Sequence, residues 1–177
     1  IMDQAPASLR TMIVSGDVYI RATQPLQPIP DADVVCYGLW LGPEIAKDHG
    51  VFVSSHQSPT RLKCMLQKPS VQTLGQLQKE HFYLTDIGVW LLSDRAVKVL
   101  MRRSTEAGRV VNYDLYGEFG CCLGTEPTMD DPEVRALSVA ILPLPGGEFY
   151  HFGTTHEIVS SMLAIQNRVN DQREIMH

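Results

Sequence analysis

Short apolar runs separated by turn residues set the rhythm of the chain. Thr11-Met12-Ile13-Val14-Ser15 stops at Gly16-Asp17, which predicts a buried strand ending in a turn. Beyond a loop carrying Pro25, Pro28 and Pro30, the Val-, Tyr- and Trp-rich segment from Asp33 to Leu41 predicts a second strand, closed by Gly42-Pro43. Residues 43–48 predict a short helical turn, because proline suits the first helical position. Residues 51–55 and 61–67 predict a strand pair joined through 56–60, and Lys68-Pro69 ends the second member because proline lacks a ladder donor. Ser70 is placed to cap a helix reaching about Lys79, with Val71, Leu74 and Leu77 on one face.

Residues 81–92 are strongly strand-like, and Ser93 or Asp94 then caps a helix to about Thr105 with Ala96, Val97, Leu100 and Met101 at helical spacing. Residues 112–123 predict another helix, interrupted by Gly117 and Gly120. Residues 134–144 predict a strand, the Pro143 to Gly147 segment a turn, and 148–152 its hairpin partner. Residues 155–167 predict a last helix with Ile158, Met162 and Ile165 on one side. Strands alternating with helices predict an α/β fold, a mostly parallel, doubly wound sheet with helices on both faces.

Composition narrows the function classes. With 177 residues the chain is long enough for one domain with a real core. A net charge of −5 gives no support to nucleic-acid binding, and no basic-aromatic stripe is present. No run of about eighteen apolar residues predicts a membrane span. The start, Ile-Met-Asp-Gln, has neither the basic residues nor the apolar run of a signal peptide, and suggests a piece of a longer protein. Cys36, Cys64, Cys121 and Cys122 show no C-x-x-C spacing, so reduced, buried thiols of a cytoplasmic protein are expected.

Five places carry candidate chemistry. Asp17 follows an apolar strand at the edge where α/β proteins bind ligands, and a carboxylate there suits Mg²⁺ brought by a nucleotide; an ordinary turn Asp fits the pattern too. Lys68, at the end of Arg61–Gln67, presents a compact cation suited to a phosphate, or simply a solvated lysine before a turn. Asp86-Ile87-Gly88 interrupts an apolar strand, which predicts a bulge or a close backbone approach to a ligand, with Asp86 able to read sugar hydroxyls. Tyr113-Asp114-Leu115-Tyr116-Gly117-Glu118 combines acids for hydroxyls with aromatics for ring faces, or forms one polar side of an amphipathic helix. Gly153-Thr154-Thr155 ends a strand before a helix whose backbone N–H groups suit an anion, although a capping Thr explains half of the pattern and His151 and His156 have plain structural readings.

Taken in order, Ser15-Gly16-Asp17-Val18, Met65-Leu66-Gln67-Lys68-Pro69, Tyr83-Leu84-Thr85-Asp86-Ile87-Gly88-Val89-Trp90 and Phe149-Tyr150-His151-Phe152-Gly153-Thr154-Thr155 resemble successive motifs of the sugar nucleotidyltransferases. Within that superfamily the chain is most similar to the fucokinase/GDP-fucose pyrophosphorylase family, with support from residues 113–118 and the last helix. The resemblance spans almost the entire chain. It implies a GT-A-like (Rossmann-like) fold whose N-terminal part is missing, with residues 1–177 as the C-terminal portion of one nucleotidyltransferase domain and a kinase domain following in the longer chain.

The resemblance further implies guanylyl transfer from GTP to L-fucose 1-phosphate, giving GDP-L-fucose and pyrophosphate. Asp17 would bind the catalytic Mg²⁺ and Lys68 the sugar phosphate. Asp86 and Gly88 would border the sugar, Asp114 and Glu118 are looser candidates for its hydroxyls, and Gly153 and Thr154 would also bind substrate. Two departures stand out. The Gly-rich loop with its Arg, which wraps the triphosphate, should precede Asp17 by many residues and is not in this chain; and His151 stands where many bacterial members carry a second metal-binding Asp. Two rivals remain: a nucleotidyltransferase for another nucleotide and sugar, and a non-catalytic domain of the same fold. Without the loop, residues 1–177 alone are expected to give no nucleotidyl transfer; full turnover from them in a pyrophosphorolysis assay overturns that expectation.

Overall fold

The structure, a computed structural model, describes residues 1–169 of the chain. The alternating run Leu9–Val14 forms β1, and Val18–Ala22 forms β2 after the Ser15–Asp17 turn. β3 (Val34–Leu39) leads through the single helical turn α1 (Pro43–Ala46) to β4 (Gly50–Ser55) and β5 (Cys64–Gln67). α2 (Val71–Leu77) starts where expected, with the Ser70 side chain accepting from the Thr73 N–H. β6 (His81–Ser93) runs straight into α3 (Asp94–Arg103), whose first turn is capped by Ser93 accepting from Ala96 N–H. The two-residue strands β7 (Thr105–Glu106) and β8 (Arg109–Val110) make a small hairpin. α4 (Pro132–Arg135), β9 (Val139–Pro143), β10 (Gly147–His151) and α5 (Thr155–Val169) complete the described chain.

β6 is the spine. The main sheet has the order β5-β4-β6-β3-β9, with β1 also paired to β6. β3 lies along one edge of β6, from Thr85 to Leu92. The opposite edge is shared: β4 pairs with residues 81–85 and β1 with residues 89–93. On that edge Asp86, Ile87 and Gly88 therefore have no strand partner. On the β3 side the register jumps from Tyr37↔Val89 to Gly38↔Asp86, so Ile87 and Gly88 form the bulge that the Asp-x-Gly pattern predicts.

The sheet is mixed, as an α/β protein allows, but it is not mostly parallel. Among the described residues only β3 and β9 run parallel; the pairings β1–β6, β3–β6, β4–β6 and β4–β5 are antiparallel. The misreading has a physical origin. All six residues of β3 are buried, and continuous burial is the signature of strands covered on both faces, a state usually reached by parallel sheets. Here helices and loops cover both faces of an antiparallel spine. Val34, Cys36, Phe52, Trp90 and Leu92 pack beneath α3 and the segment around Phe119 and Cys122, while Val35, Tyr37, Val89 and Leu91 face Leu9, Ile29 and Ile20 on the other side. Farther along, Val51, Val53 and Tyr83 pack under Ala46 of α1 and Leu74 of α2. All four cysteines are free, and burial pushes each thiol pKa up.

Three further expectations are corrected. Residues 134–144 do not form one strand: Asp131 accepts from the N–H groups of Glu133 and Val134 and Pro132 takes the first helical position, so α4 precedes β9. β10 pairs with β2 rather than β9, and β2 itself went unpredicted because its half-exposed residues make a weak pattern. Residues 112–123 are not a regular helix but a single π turn (Leu115–Phe119) running into a 3₁₀ turn (Gly120–Cys122), a form often met at functional sites.

At Gly38, opposite the bulge, a Cβ would stand 2.7 Å from Leu84 Cβ and 2.8 Å from the Thr85 carbonyl oxygen. Those neighbours belong to the spine and cannot swing aside. Gly38→Ala is therefore expected to destabilise the fold by about 1–3 kcal/mol, read as a lower midpoint in urea denaturation; an unchanged midpoint would show that β3 and β6 separate freely here.

Candidate functional site

The unpaired stretch of β6 opens onto a cavity of about 410 Å³. Its walls come from four parts of the chain: the Ser15–Val18 turn after β1, Asp48–Gly50 with Lys68, the Asp86–Gly88 bulge, and the β10–α5 corner with Phe149, His151, Gly153 and Thr154. Tyr116 of the π turn closes the remaining side.

Gly88 explains how the first and third walls meet. Its φ of +73° is costly for side chains, and an added Cβ would lie 2.5 Å from Ser15 Oγ. With no side chain in the way, Ser15 N–H donates to the Gly88 carbonyl at 2.9 Å. The Ser15 and Tyr116 hydroxyls are bonded to each other at 2.8 Å.

Asp86 lies beneath this junction, 6% exposed. One carboxylate oxygen accepts from Gly88 N–H at 2.8 Å and from the Trp90 indole at 3.1 Å, and the other stands 3.2 Å from the same indole nitrogen. Burial dominates over these donors and lifts its pKa from 3.8 to about 7.

Lys68 adopts a left-handed backbone, φ 47°, uncommon for a residue with a side chain and typical of sites where strain has a use. Its N–H donates to the His49 carbonyl at 3.1 Å, and the following Pro69 disfavours the ordinary helical alternative. His49 sits edge-on to Phe149 at 5.4 Å and to His151 at 5.1 Å, and its pKa is lowered by burial and by the neighbouring His151.

The Asp17 turn is fastened to the β10–α5 corner. Phe152 N–H donates to the Asp17 carbonyl at 2.8 Å, and His151 Nε2 lies 3.2 Å from Asp17 Oδ2. His151 Nδ1 is 2.9 Å from Glu157, whose other oxygen accepts from the Thr154 hydroxyl at 2.8 Å. Those two contacts hold the Glu157 pKa below its ordinary value. The Thr154 hydroxyl also accepts from Glu157 N–H at 3.3 Å, so Thr154 caps α5 at the cavity rim and the Glu157 carboxylate holds the capping hydroxyl in place.

Six of the eight candidate residues thus share one cavity: Asp17, Lys68, Asp86, Gly88, Gly153 and Thr154. Asp114 and Glu118 do not. Asp114 accepts from Tyr116 N–H at 2.8 Å and Glu118 accepts from Asp114 N–H at 2.6 Å, so both acids cap their own π turn. The same turn sends Tyr116 to the cavity instead. Tyr116 comes from the segment proposed for its aromatics, whereas Ser15, His49 and Phe149 are cavity residues given no role of their own from the sequence. A polar Ser at the end of an apolar strand and a His just before the Gly50–Ser55 run were the available signals. Among the described residues no group of three or more His, Cys, Asp or Glu side chains is arranged to hold a metal ion.

Asp86 gives a pH dependence with a definite sign. The folded carboxyl binds its proton more tightly than the unfolded one, so its contribution to stability falls as pH rises from about 4 to about 7 and is flat above. Asp86→Asn keeps an acceptor for the Gly88 and Trp90 donors without the charge. The variant is expected to melt higher than the parent at pH 8, with the gap closing toward pH 4; thermal denaturation across that range checks it, and equal melting at pH 8 contradicts it.

No family model matches the chain. Over its whole length it is 59% identical, across 179 aligned positions, to L-fucokinase/L-fucose-1-P guanylyltransferase of Bacteroides fragilis. The chain spans 19% of that protein's length. An identity of 59% along the whole chain is the mark of common descent, and the chain belongs to the fucokinase/GDP-fucose pyrophosphorylase family.

Proposed function

We propose that the chain supplies part of the site at which a fucokinase/GDP-fucose pyrophosphorylase joins GTP to L-fucose 1-phosphate, releasing pyrophosphate. The observation that carries this is the meeting of Asp17 and Lys68, 51 positions apart in sequence, in one cavity of a chain so similar to a protein named as an L-fucose-1-P guanylyltransferase.

The reaction asks chiefly for placement. An oxygen of the sugar phosphate attacks the α-phosphorus of GTP in line, the bond to the β-phosphate oxygen breaks, and pyrophosphate leaves. The nucleophile is already an anion, so no general base is required. Lys68 suits the sugar phosphate: its cation offsets repulsion between two anions, and its fixed backbone limits where the charge goes. Asp86, held by Gly88 and Trp90, and the Gly88 backbone line the cavity and would border the sugar. Gly153 and Thr154, at the N-terminus of α5, form a polar rim.

Mg²⁺ fits this donor set in one way. Asp17, 53% exposed at its side chain, is a carboxylate open to a ligand, whereas Asp86 is enclosed by two N–H donors and Asp48 is paired with the cation of Lys47 at 2.6 Å. One carboxylate supplemented by phosphate and water oxygens is an ordinary Mg²⁺ environment. A nucleotide-borne Mg²⁺ held there would neutralise charge on the departing phosphate oxygens. His151, a nitrogen donor engaged with Asp17 and Glu157, suits the role of orienting Asp17 better than that of a second Mg²⁺ ligand. No described helix is long and apolar enough to cross a membrane. We place the reaction in the cytoplasm, where GTP is at hand.

In the full-length protein, Asp17→Asn and Lys68→Ala are each expected to lower GDP-fucose formation by about 100-fold or more, while fucose phosphorylation and the circular dichroism spectrum stay unchanged. Full guanylyltransferase activity in either variant would remove the chain from the reaction.

A further inference from the structure

Tyr116 is linked to two of the cavity's acids, Asp17 and Asp86, through Ser15 and Trp90. Its hydroxyl is bonded to Ser15 Oγ at 2.8 Å, two residues before Asp17. Its ring stands edge-on to Trp90 at 5.9 Å, and the Trp90 indole N–H holds Asp86. The π turn that aims it is fixed by its own acids, Asp114 and Glu118, and by Phe119, which is fully buried in the core.

The Ser15–Gly16–Asp17 turn needs such an anchor. Its main-chain ties are Ser15 N–H to Gly88 and the Asp17 carbonyl to Phe152 N–H, one at each end. Gly16, between them, has nothing within 4 Å of the place a Cβ would occupy, so no packing steadies the middle of the turn. The hydroxyl pair is the side-chain bond that ties the β1 end of the turn to the opposite wall.

From this geometry we infer that Tyr116 is a positioning residue: it acts through Ser15 to hold the Asp17 turn, and through Trp90 to hold Asp86, at a fixed separation across the cavity. The inference rests on the proposed function. Partial burial raises the Tyr116 pKa, which keeps its hydroxyl protonated and able to serve Ser15 over the physiological range.

A double-mutant cycle in the full-length protein separates positioning through Ser15 from direct contact with substrate. Tyr116→Phe keeps the ring on Trp90 and removes only the hydroxyl; Ser15→Ala removes its partner. Each single variant is expected to lower kcat for GDP-fucose formation about 10-fold, with KM for fucose 1-phosphate within about twofold and melting temperature nearly unchanged. The double variant is expected to lose no more than either single one, because both remove the same bond.

Multiplying losses would mean that the Tyr116 hydroxyl contacts substrate directly, and overturns the inference. So does an unchanged kcat in Tyr116→Phe, or a loss matched by a fall in melting temperature. Binding of Mn²⁺–GTP, followed calorimetrically without turnover, is the second readout and should weaken in the same non-multiplying pattern. Wild-type protein that binds Mn²⁺–GTP but forms no GDP-fucose would defeat the proposed reaction while this pattern still decides the role of Tyr116. Wild-type protein that does neither overturns both.

Discussion

A thirteen-residue strand cannot be paired along both edges by strands half its length without a seam, and the seam in β6 is what the rest of the site depends on. β4 stops at Thr85 and β1 begins at Val89 on one edge, while on the other edge β3 skips Ile87 and Gly88. Both edges are broken at the same place. The backbone there is free to approach Ser15, and the Asp86 side chain is turned inward onto Gly88 and Trp90. The cavity is not carved into a finished sheet; it is the space two short neighbours leave along a long one.

Around that seam the protein collects groups that gain little from being there for stability alone. Among the described residues Asp86 is a buried acid without a cationic partner, and Lys68 occupies a backbone region that favours glycine. His49 is buried enough to disfavour its charge. Each arrangement costs free energy, and the cost is met by the continuous core on both faces of the spine, where Trp90, Tyr37, Phe52 and Phe119 are fully enclosed.

Much of this was legible in the residues themselves. The Asp86-Ile87-Gly88 interruption announced the bulge, Ser70 and Ser93 announced their helices, and motif order brought Asp17 and Lys68 under suspicion before any geometry was known. Strand direction was not legible, because an apolar run such as Val34–Leu39 records that both faces are covered and not which way a neighbour runs. Nor was the fate of residues 113–118: acids and aromatics three or four apart suggest a helix face, whereas one extra residue in the turn sends Tyr116 to the cavity and leaves Asp114 and Glu118 as its caps. Pairings between distant segments, β2 with β10 above all, have no local signature.

The Thr154–Glu157 cap has a consequence for how order spreads through the molecule. Glu157 serves two masters, closing the first turn of α5 and orienting the His151 ring that touches Asp17. Unwinding of that first turn would release the imidazole and slacken the acid beyond it at the same moment. The readiness of the site is therefore tethered to the winding of α5, which grips His151 a second time farther along, where the Ser161 hydroxyl donates to the His151 carbonyl at 2.7 Å.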